Sequence, residues 1–457
     1  MRPQSLSRLA TWCGGRLHGE DVRVSDVAID SRAAGPASLF VALRGERADG
    51  HDFVASAGAA AALVERVVEA GVPQLVVGDT QAALGRIARG VQADRATRVL
   101  AVTGSNGKTT VKTLLAGILA HAGRTYANPG NRNNEIGLPL AVLEAPDEAD
   151  FAVYEMGAGK PGDIAYLTDI VAPDVALVNN VAAAHLERMG SLLGIADTKA
   201  AIYRALRPGG TAVINADDAF APWFATQAGA HAVLRFGIEA SADVVATDIV
   251  PGAEGSRFLL RAPQGERAIA LPLPGRHNVR NALAAAACAL AAGAGLDHVA
   301  AGLAGAAPVP GRQVAHALSG GAVLVDDSYN ANPASLVAAI DTLADQGGEA
   351  WLVLGDMKEL GPEAEALHAE CGARARARRI ARLYATGALS AAAVAAFGPQ
   401  GRHFHDRESL VAALRADLAA AATPPRVLVK GSRSSAMDRV VAALLPAAQP
   451  EDATHAA

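Results

Sequence analysis

Thr103-Gly104-Ser105-Asn106-Gly107-Lys108-Thr109-Thr110 follows the apolar run Val99-Leu100-Ala101-Val102 and opens a helical pattern over 108–122. A buried strand, a glycine-bearing loop and a helix in that order make an anion site. The glycines free backbone N–H groups to face a phosphate, the helix N-terminus adds partial positive charge, and Lys108 reaches the terminal phosphates. Gly104, Ser105, Asn106, Gly107, Lys108, Thr109 and Thr110 are therefore the candidate nucleotide-phosphate residues, with the Thr109 hydroxyl a ligand for Mg²⁺. The loop is a shortened variant: the general pattern sets four residues between its glycines, whereas only Ser105 and Asn106 separate Gly104 from Gly107. Stripped of its context, the segment would be an ordinary Gly-rich strand-to-helix turn.

Outward from the loop, strands and helices alternate. Phe151-Ala152-Val153-Tyr154 and Val175-Ala176-Leu177-Val178 read as strands and 191–206 as a helix, which predicts parallel pairing with right-handed crossovers. The stretch 240–274, with Arg257-Phe258-Leu259-Leu260 and Leu271-Pro272-Leu273-Pro274-Gly275, predicts antiparallel strands before a long Ala-rich helix from Asn278. On the N-terminal side lie a strand at Ser38-Leu39-Phe40-Val41-Ala42-Leu43, an Ala-rich helix from about Asp52 and a strand at Gln74-Leu75-Val76-Val77. Beyond Pro310-Gly311-Arg312 come apolar strands at 322–325, 351–354, 382–385 and 426–429, separated by helical patterns, and a polar tail from about Gln449. The 457 residues fit about three domains at roughly 150 residues each. The expected fold is α/β. A small N-terminal α/β domain (1–96) and a C-terminal Rossmann-like domain (313–457) flank a central P-loop, parallel-sheet, ATPase-like domain (97–312).

Composition narrows the function classes. Hydrophobic residues are 51% and aromatics only 4%, so the apolar content is Ala, Val and Leu, as packed helices and buried strands require. Forty-one Lys and Arg against 46 Asp and Glu leave no basic footprint for nucleic acid or an anionic membrane. Met1-Arg2-Pro3-Gln4-Ser5-Leu6 lacks the apolar core of a signal peptide, and the longest apolar run, 283–292, is too short to span a bilayer. A cytoplasmic protein without membrane insertion is expected. Cys13, Cys288 and Cys371 are far apart, form no CxxC pair and read as buried thiols.

In a parallel sheet, side chains that follow the C-terminal ends of neighbouring strands converge on one crest, where ligands bind. Besides the phosphate loop, that crest should hold Glu155 after Phe151–Tyr154 and the segment running through Asn179-Asn180 toward His185. A carboxylate and an imidazole facing a nucleotide triphosphate suit Mg²⁺, although Mg²⁺ prefers oxygen. Each residue taken singly has a plainer reading, a solvated strand end for Glu155 and a surface histidine for His185. Lys199, flanked by Asp197-Thr198 and Ala200-Ala201-Ile202, reads from its pattern alone as a solvated helix face.

Six blocks join the phosphate loop in one order: Asn131-Arg132-Asn133-Asn134-Glu135-Ile136-Gly137, Tyr154-Glu155-Met156-Gly157, Asn180–His185, Gly275-Arg276-His277-Asn278-Val279-Arg280-Asn281, Asp327-Ser328-Tyr329-Asn330-Ala331-Asn332-Pro333, and Gly355-Asp356-Met357-Lys358-Glu359-Leu360-Gly361. With Asp30-Ser31-Arg32 near the start and Lys430-Gly431-Ser432-Arg433 near the end, they resemble the Mur ligases of peptidoglycan synthesis over nearly the whole chain. Within that family the resemblance is strongest to the members that add D-alanyl-D-alanine to UDP-N-acetylmuramoyl-tripeptide. The Asp-Asn-Pro-Arg signature of the diaminopimelate-adding relatives is absent.

The resemblance implies an ATP-dependent ligase with an acyl-phosphate intermediate, acting as a monomer. It implies Lys108 on the ATP phosphates, Thr109 and Glu155 on one Mg²⁺, and His185 in the metal and substrate site. Lys199 matches a lysine that is carbamylated in relatives and supports a second Mg²⁺, although Ala200-Ala201 replace the Gly-Glu usual after it. Asn278 matches an adenine contact, Arg312 a phosphate contact, and Asp327 with Asn330 the nucleotide side of the third domain. Ser31, Arg32, Asn133, Asn134, Glu135, Lys430, Ser432 and Arg433 are implied on the UDP-sugar, tripeptide and dipeptide side. Three other readings stay open: a related ligase with different substrates, such as folylpolyglutamate synthase; a phosphate-loop ATPase or kinase without ligation; and a nucleotide-gated binding module.

Overall fold

The structure, a computed structural model, describes residues 1–445. The polar tail expected from Gln449 lies outside the described residues. The largest sheet runs in the order Gly265–Leu271, Ser256–Ala262, Val244–Pro251, Ala232–Gly237, Thr211–Asn215, Val175–Val178, Arg98–Thr103, Phe151–Glu155, Thr125–Ala127. Its strands pair in parallel from Thr125–Ala127 as far as Val244–Pro251, and the final two add an antiparallel meander. Arg98–Thr103 lies near the middle with Val99 to Thr103 all buried, which is why it reads as an unbroken apolar run rather than an alternating one. Register then builds the crest. Glu155 pairs with Val102 and Val178 with Thr103, so Glu155, Asn179 and the phosphate loop leave the sheet side by side.

Helix Lys108–Ala120 packs its Val111, Leu114, Leu115 and Ile118 on that sheet and against Arg276–Ala291, whose long alanine stretch is buried on every side. Alanine lets the helices approach closely. Gly302 of Leu296–Ala304 lies against the same helix: a Cβ there would stand 2.4 Å from the Ile118 Cα. Gly302→Ala must push backbone apart and is expected to cost about 1–3 kcal/mol. A thermal melt checks this, and an unchanged midpoint would mean that the helices can separate freely.

The N-terminal sheet runs Arg16–His18, Gln74–Val76, Ala61–Val64, Ser38–Val41, Asp26–Ala28. The Ala-rich helix expected from Asp52 is not formed. Instead a 3-10 turn, Gly50–Phe53, leads through Gly58 at φ +64° into the strand Ala61–Val64, all four residues of which are buried between neighbouring strands. Alanine's helix preference yields here to burial on both faces of a sheet. The C-terminal sheet runs Val314–Ala317, Val323–Asp327, Arg426–Lys430, Ala350–Gly355, Arg382–Thr386, Gly401–Phe404, parallel except at its first edge. Asp327 and Lys430 pair at the ends of adjacent strands, again at the C-terminal crest. The chain is thus an α/β protein whose central parallel-sheet part is flanked by N- and C-terminal sheets. All three cysteines are free and buried.

Candidate active site

The phosphate loop needs its glycines for two reasons. Gly107 adopts φ +77°, and a Cβ there would meet Asn281 Oδ1 at 2.4 Å. It caps helix Lys108–Ala120 without a side-chain acceptor, so the first N–H groups of the helix stay free for a ligand. The loop is shaped by the next strand end. Asn180 accepts from the Ser105 N–H through its carbonyl (2.9 Å) and from the Asn106 N–H through its side chain (2.8 Å). Asn179 Nδ2 donates to Asn106 O and Asn281 Oδ1. Lys108 Nζ curls back to the Gly104 carbonyl at 2.8 Å. Burial lowers its pKa, and the charge of Glu155 opposes that shift.

Glu155 is no solvated strand end: it is 2% exposed. Its Oε1 accepts from Asn133 Nδ2 at 2.9 Å, while Oε2 accepts no hydrogen bond and has only an ion-pair contact with Lys112 at 3.4 Å. A buried carboxylate oxygen with unused acceptor capacity, beside a phosphate loop, fits a divalent cation. Among the described residues no three His, Cys, Asp or Glu side chains converge on one point. Mg²⁺ would therefore share Glu155 with a hydroxyl, phosphate oxygens and water, its usual company at nucleotide sites.

Lys199 corrects its pattern reading outright. It lies on helix Leu192–Arg204, is 3% exposed and faces the cavity rather than solvent. Burial, then the charge of Lys108, hold its pKa well below the ordinary lysine value, with no acidic group offsetting them among the described residues.

These groups open into one cavity of about 1080 Å³ between the central and C-terminal sheets. Gly104 to Lys108, Thr110, Glu155, His185, Lys199, Asn278 and Arg312 line it from the central side; Asp327, Asn330, Lys430, Ser432 and Arg433 line it from the other. Asn133, Asn134 and Glu135 border it at the loop before helix Gly137–Glu144. Thr109 sits just behind, its hydroxyl accepting from Arg312 Nη2 at 3.0 Å. Ser31 and Arg32 are not among the lining residues: Arg32 is paired with Asp30 on the exposed surface of the N-terminal part.

Contacts already cross the cavity. Asn332 Nδ2 donates to Asn106 Oδ1 at 2.7 Å, and His185, in the left-handed region at φ +56°, is hydrogen-bonded to Glu359. On the C-terminal side Lys430 Nζ lies 2.6 Å from Asp327 and also donates to the Asn330 carbonyl. His277 is half-buried at the same junction and pushed down to about 4 by desolvation, with Lys430 and Arg280 adding to the shift, so its ring is neutral near pH 7. Sequence reasoning missed Asn332, Asn281 and Lys112 as site-builders, although the first two stand inside blocks that it singled out. Lys112 had one available signal, a lysine among the apolar positions Val111, Leu114 and Leu115 of one helix.

Comparison with known proteins covers the whole arrangement. Residues 23–92 match the Mur ligase family, catalytic domain; 102–289 match the Mur ligase middle domain; and 311–433 match the Mur ligase, glutamate ligase domain. The UDP-N-acetylmuramoyl-tripeptide–D-alanyl-D-alanine ligase of Escherichia coli strain K12 is 45% identical over 446 residues, 96% of this chain and 98% of that one. A crystal structure of MurF from Acinetobacter baumannii superposes with a TM-score of 0.93 at 35% identity, covering 97% and 99% of the two chains. MurF of Thermotoga maritima in complex with ADP gives 0.83 at 29% identity, covering 92% and 97%. With matching domains in the same order and this identity over nearly its full length, the chain belongs to the Mur ligase family.

Proposed function

We propose that this chain is an ATP-dependent ligase that joins D-alanyl-D-alanine to UDP-N-acetylmuramoyl-tripeptide. The observation that carries the reading is the 45% identity to a ligase of that name across 96% of the chain, with every block of the cavity present. In the proposed reaction a carboxylate oxygen of the tripeptide attacks the γ-phosphorus of ATP, and ADP leaves with the bridging oxygen. The amine of D-alanyl-D-alanine then attacks the acyl carbon, inorganic phosphate departs and the nitrogen loses a proton. No protein nucleophile is required.

What the chain supplies is position and charge. The loop N–H groups and Lys108 hold the phosphates, Asn278 and Arg312 the nucleoside and phosphate edges, and Asp327 with Asn330 the C-terminal side of the nucleotide. Glu155, Thr109, His185 and Lys199 would hold two Mg²⁺, and that metal chemistry neutralises charge on the transferring phosphoryl group. Carbamylation of Lys199 would convert a buried amine into a carboxylate-like ligand. Ser31 and Arg32 in segment 1–96 are assigned to the UDP-sugar. Asn133, Asn134 and Glu135 in segment 97–312 are assigned to the peptide, and Lys430, Ser432 and Arg433 in segment 313–457 to the dipeptide. Holding the acyl phosphate beside its amine contributes on the order of 7 kcal/mol through orientation, and closing the cavity between the two sheets over bound substrates would keep water from the intermediate. A single chain carries every one of these side chains, which supports a monomer; no described helix is long and apolar enough to cross a membrane, and a cytoplasmic location is part of the reading.

Phosphate release should require both UDP-N-acetylmuramoyl-tripeptide and D-alanyl-D-alanine, and the product should carry the dipeptide by mass. Release with neither substrate would replace the ligase by an ATPase; nucleotide binding without turnover would leave a binding module.

A further inference from the structure

Lys112 is a buried lysine that the reaction above does not use. It stands one turn beyond Lys108 on helix Lys108–Ala120 and is 5% exposed. Its ammonium donates to the carbonyls of Asn128 and Gly130, both at 2.9 Å, and lies 3.4 Å from Glu155 Oε2. Two of its three N–H groups donate to carbonyls from outside its own helix, and its charge lies beside the Glu155 carboxylate.

Those acceptors belong to the parts that frame the peptide side of the cavity. Residues 128–136, between the strand Thr125–Ala127 and the helix Gly137–Glu144, form no strand or helix. Their shape is held by side chains. Buried Asn128 donates to the carbonyls of Arg132 and Glu155 and accepts from the Glu155 N–H at 2.8 Å. Asn133 donates to Glu155 Oε1, and its carbonyl accepts from the Gly157 N–H. The bond to Arg132 folds the loop on itself, and the others tie it to Glu155 and to Gly157 just beyond that strand. Lys112 is the side chain in this network that ties loop and carboxylate to the helix bearing the nucleotide loop. Without it, two inward-facing carbonyls and one buried carboxylate lose their cationic partner, and loop and carboxylate can shift relative to Lys108.

We infer that Lys112 is a positioning residue: it fixes loop 128–136 and the Glu155 carboxylate in register with the phosphate loop, so that the peptide carboxylate meets the γ-phosphate in line. What the loop holds rests on the proposed ligase reading; that the loop is held by Lys112 does not.

The test uses the full chain with Lys112→Met, which fills the slot without the charge, and Lys112→Arg, which keeps the charge in a different shape. In K112M, amide hydrogen exchange should quicken by roughly tenfold or more across 128–136 while helix 108–120 stays within about twofold of the parent. KM for UDP-N-acetylmuramoyl-tripeptide should rise by roughly tenfold or more, with the Kd for ADP by calorimetry held within about twofold. K112R should fall between parent and K112M on both scales, and it carries the same comparison if K112M does not fold. Equal loop exchange rates in K112M and parent, or loss of ADP affinity in parallel with the KM effect, would overturn the assignment and make Lys112 a general support of the helix. A parent chain that ligates nothing would remove the functional reading, and the exchange comparison would still decide the role of Lys112.

Discussion

Lys108→Ala should reduce ligation by about a thousandfold or more while the protein still folds. The expectation follows from where the side chain ends. Its Nζ reaches over the loop to the Gly104 carbonyl, at the mouth of a helix whose first N–H groups have no side-chain cap. A triphosphate entering that space would replace the carbonyl as the partner of the ammonium. Phosphoryl transfer moves charge between oxygens without a protein nucleophile, so catalysis depends on fixed positive charge at the transferring group. Removing one such charge costs the transition state more than the bound ground state. Stability should change little, because Lys108 belongs to no apolar cluster and its bonds serve only the loop. Arginine should not rescue it: a planar guanidinium cannot occupy the compact space of an ammonium above the loop. Phosphate release and product mass measured beside a thermal melt decide the matter. Parent-like turnover by a folded K108A variant would remove the loop from the chemistry.

The fold was legible wherever burial and periodicity agreed. Strand Arg98–Thr103 and its parallel neighbours carry unbroken apolar runs because both faces are covered, and the antiparallel meander over 244–271 shows alternation because one face is not. Ala59 to Ala62 misled for a physical reason. Alanine is neutral to packing on either face, so a helix and a buried strand look alike until the neighbouring strands are known. The site divided along the same line. The phosphate loop is local, and its chemistry can be read from eight consecutive residues. The neighbours of Lys199 and Lys112 lie far away in sequence, and a helical pattern cannot say whether a lysine faces water or the interior of the assembled sheets. Glu155 stood between these cases: its strand was plain, but its unused oxygen is a property of the assembled crest.

Removal of dissolved CO₂ should switch the enzyme off, and bicarbonate should restore it, if Lys199 works as a carbamate. The lysine is buried in the cavity, and both burial and the charge of Lys108 depress its pKa, so a far larger share of it is neutral amine near pH 7 than of a surface lysine. Neutral amine is the form that adds to CO₂. The adduct carries a negative charge, so it would set an anionic oxygen ligand for Mg²⁺ beside the Lys108 cation where a neutral amine stood. The direction with pH follows. Acid protonates the amine and breaks the carbamate, so activity should fall on the acid side and recover as pH rises, with added bicarbonate moving the fall to lower pH. Lys199→Met should lose ligation by about a hundredfold or more, because a metal ligand is gone, and should not respond to bicarbonate. Carbon-13 bicarbonate provides the direct observation: one carbamate resonance in the parent, absent in K199M. A parent enzyme indifferent to CO₂ depletion, with no such resonance, would leave Lys199 as a buried amine and require the second cation to be held by substrate oxygens and water alone.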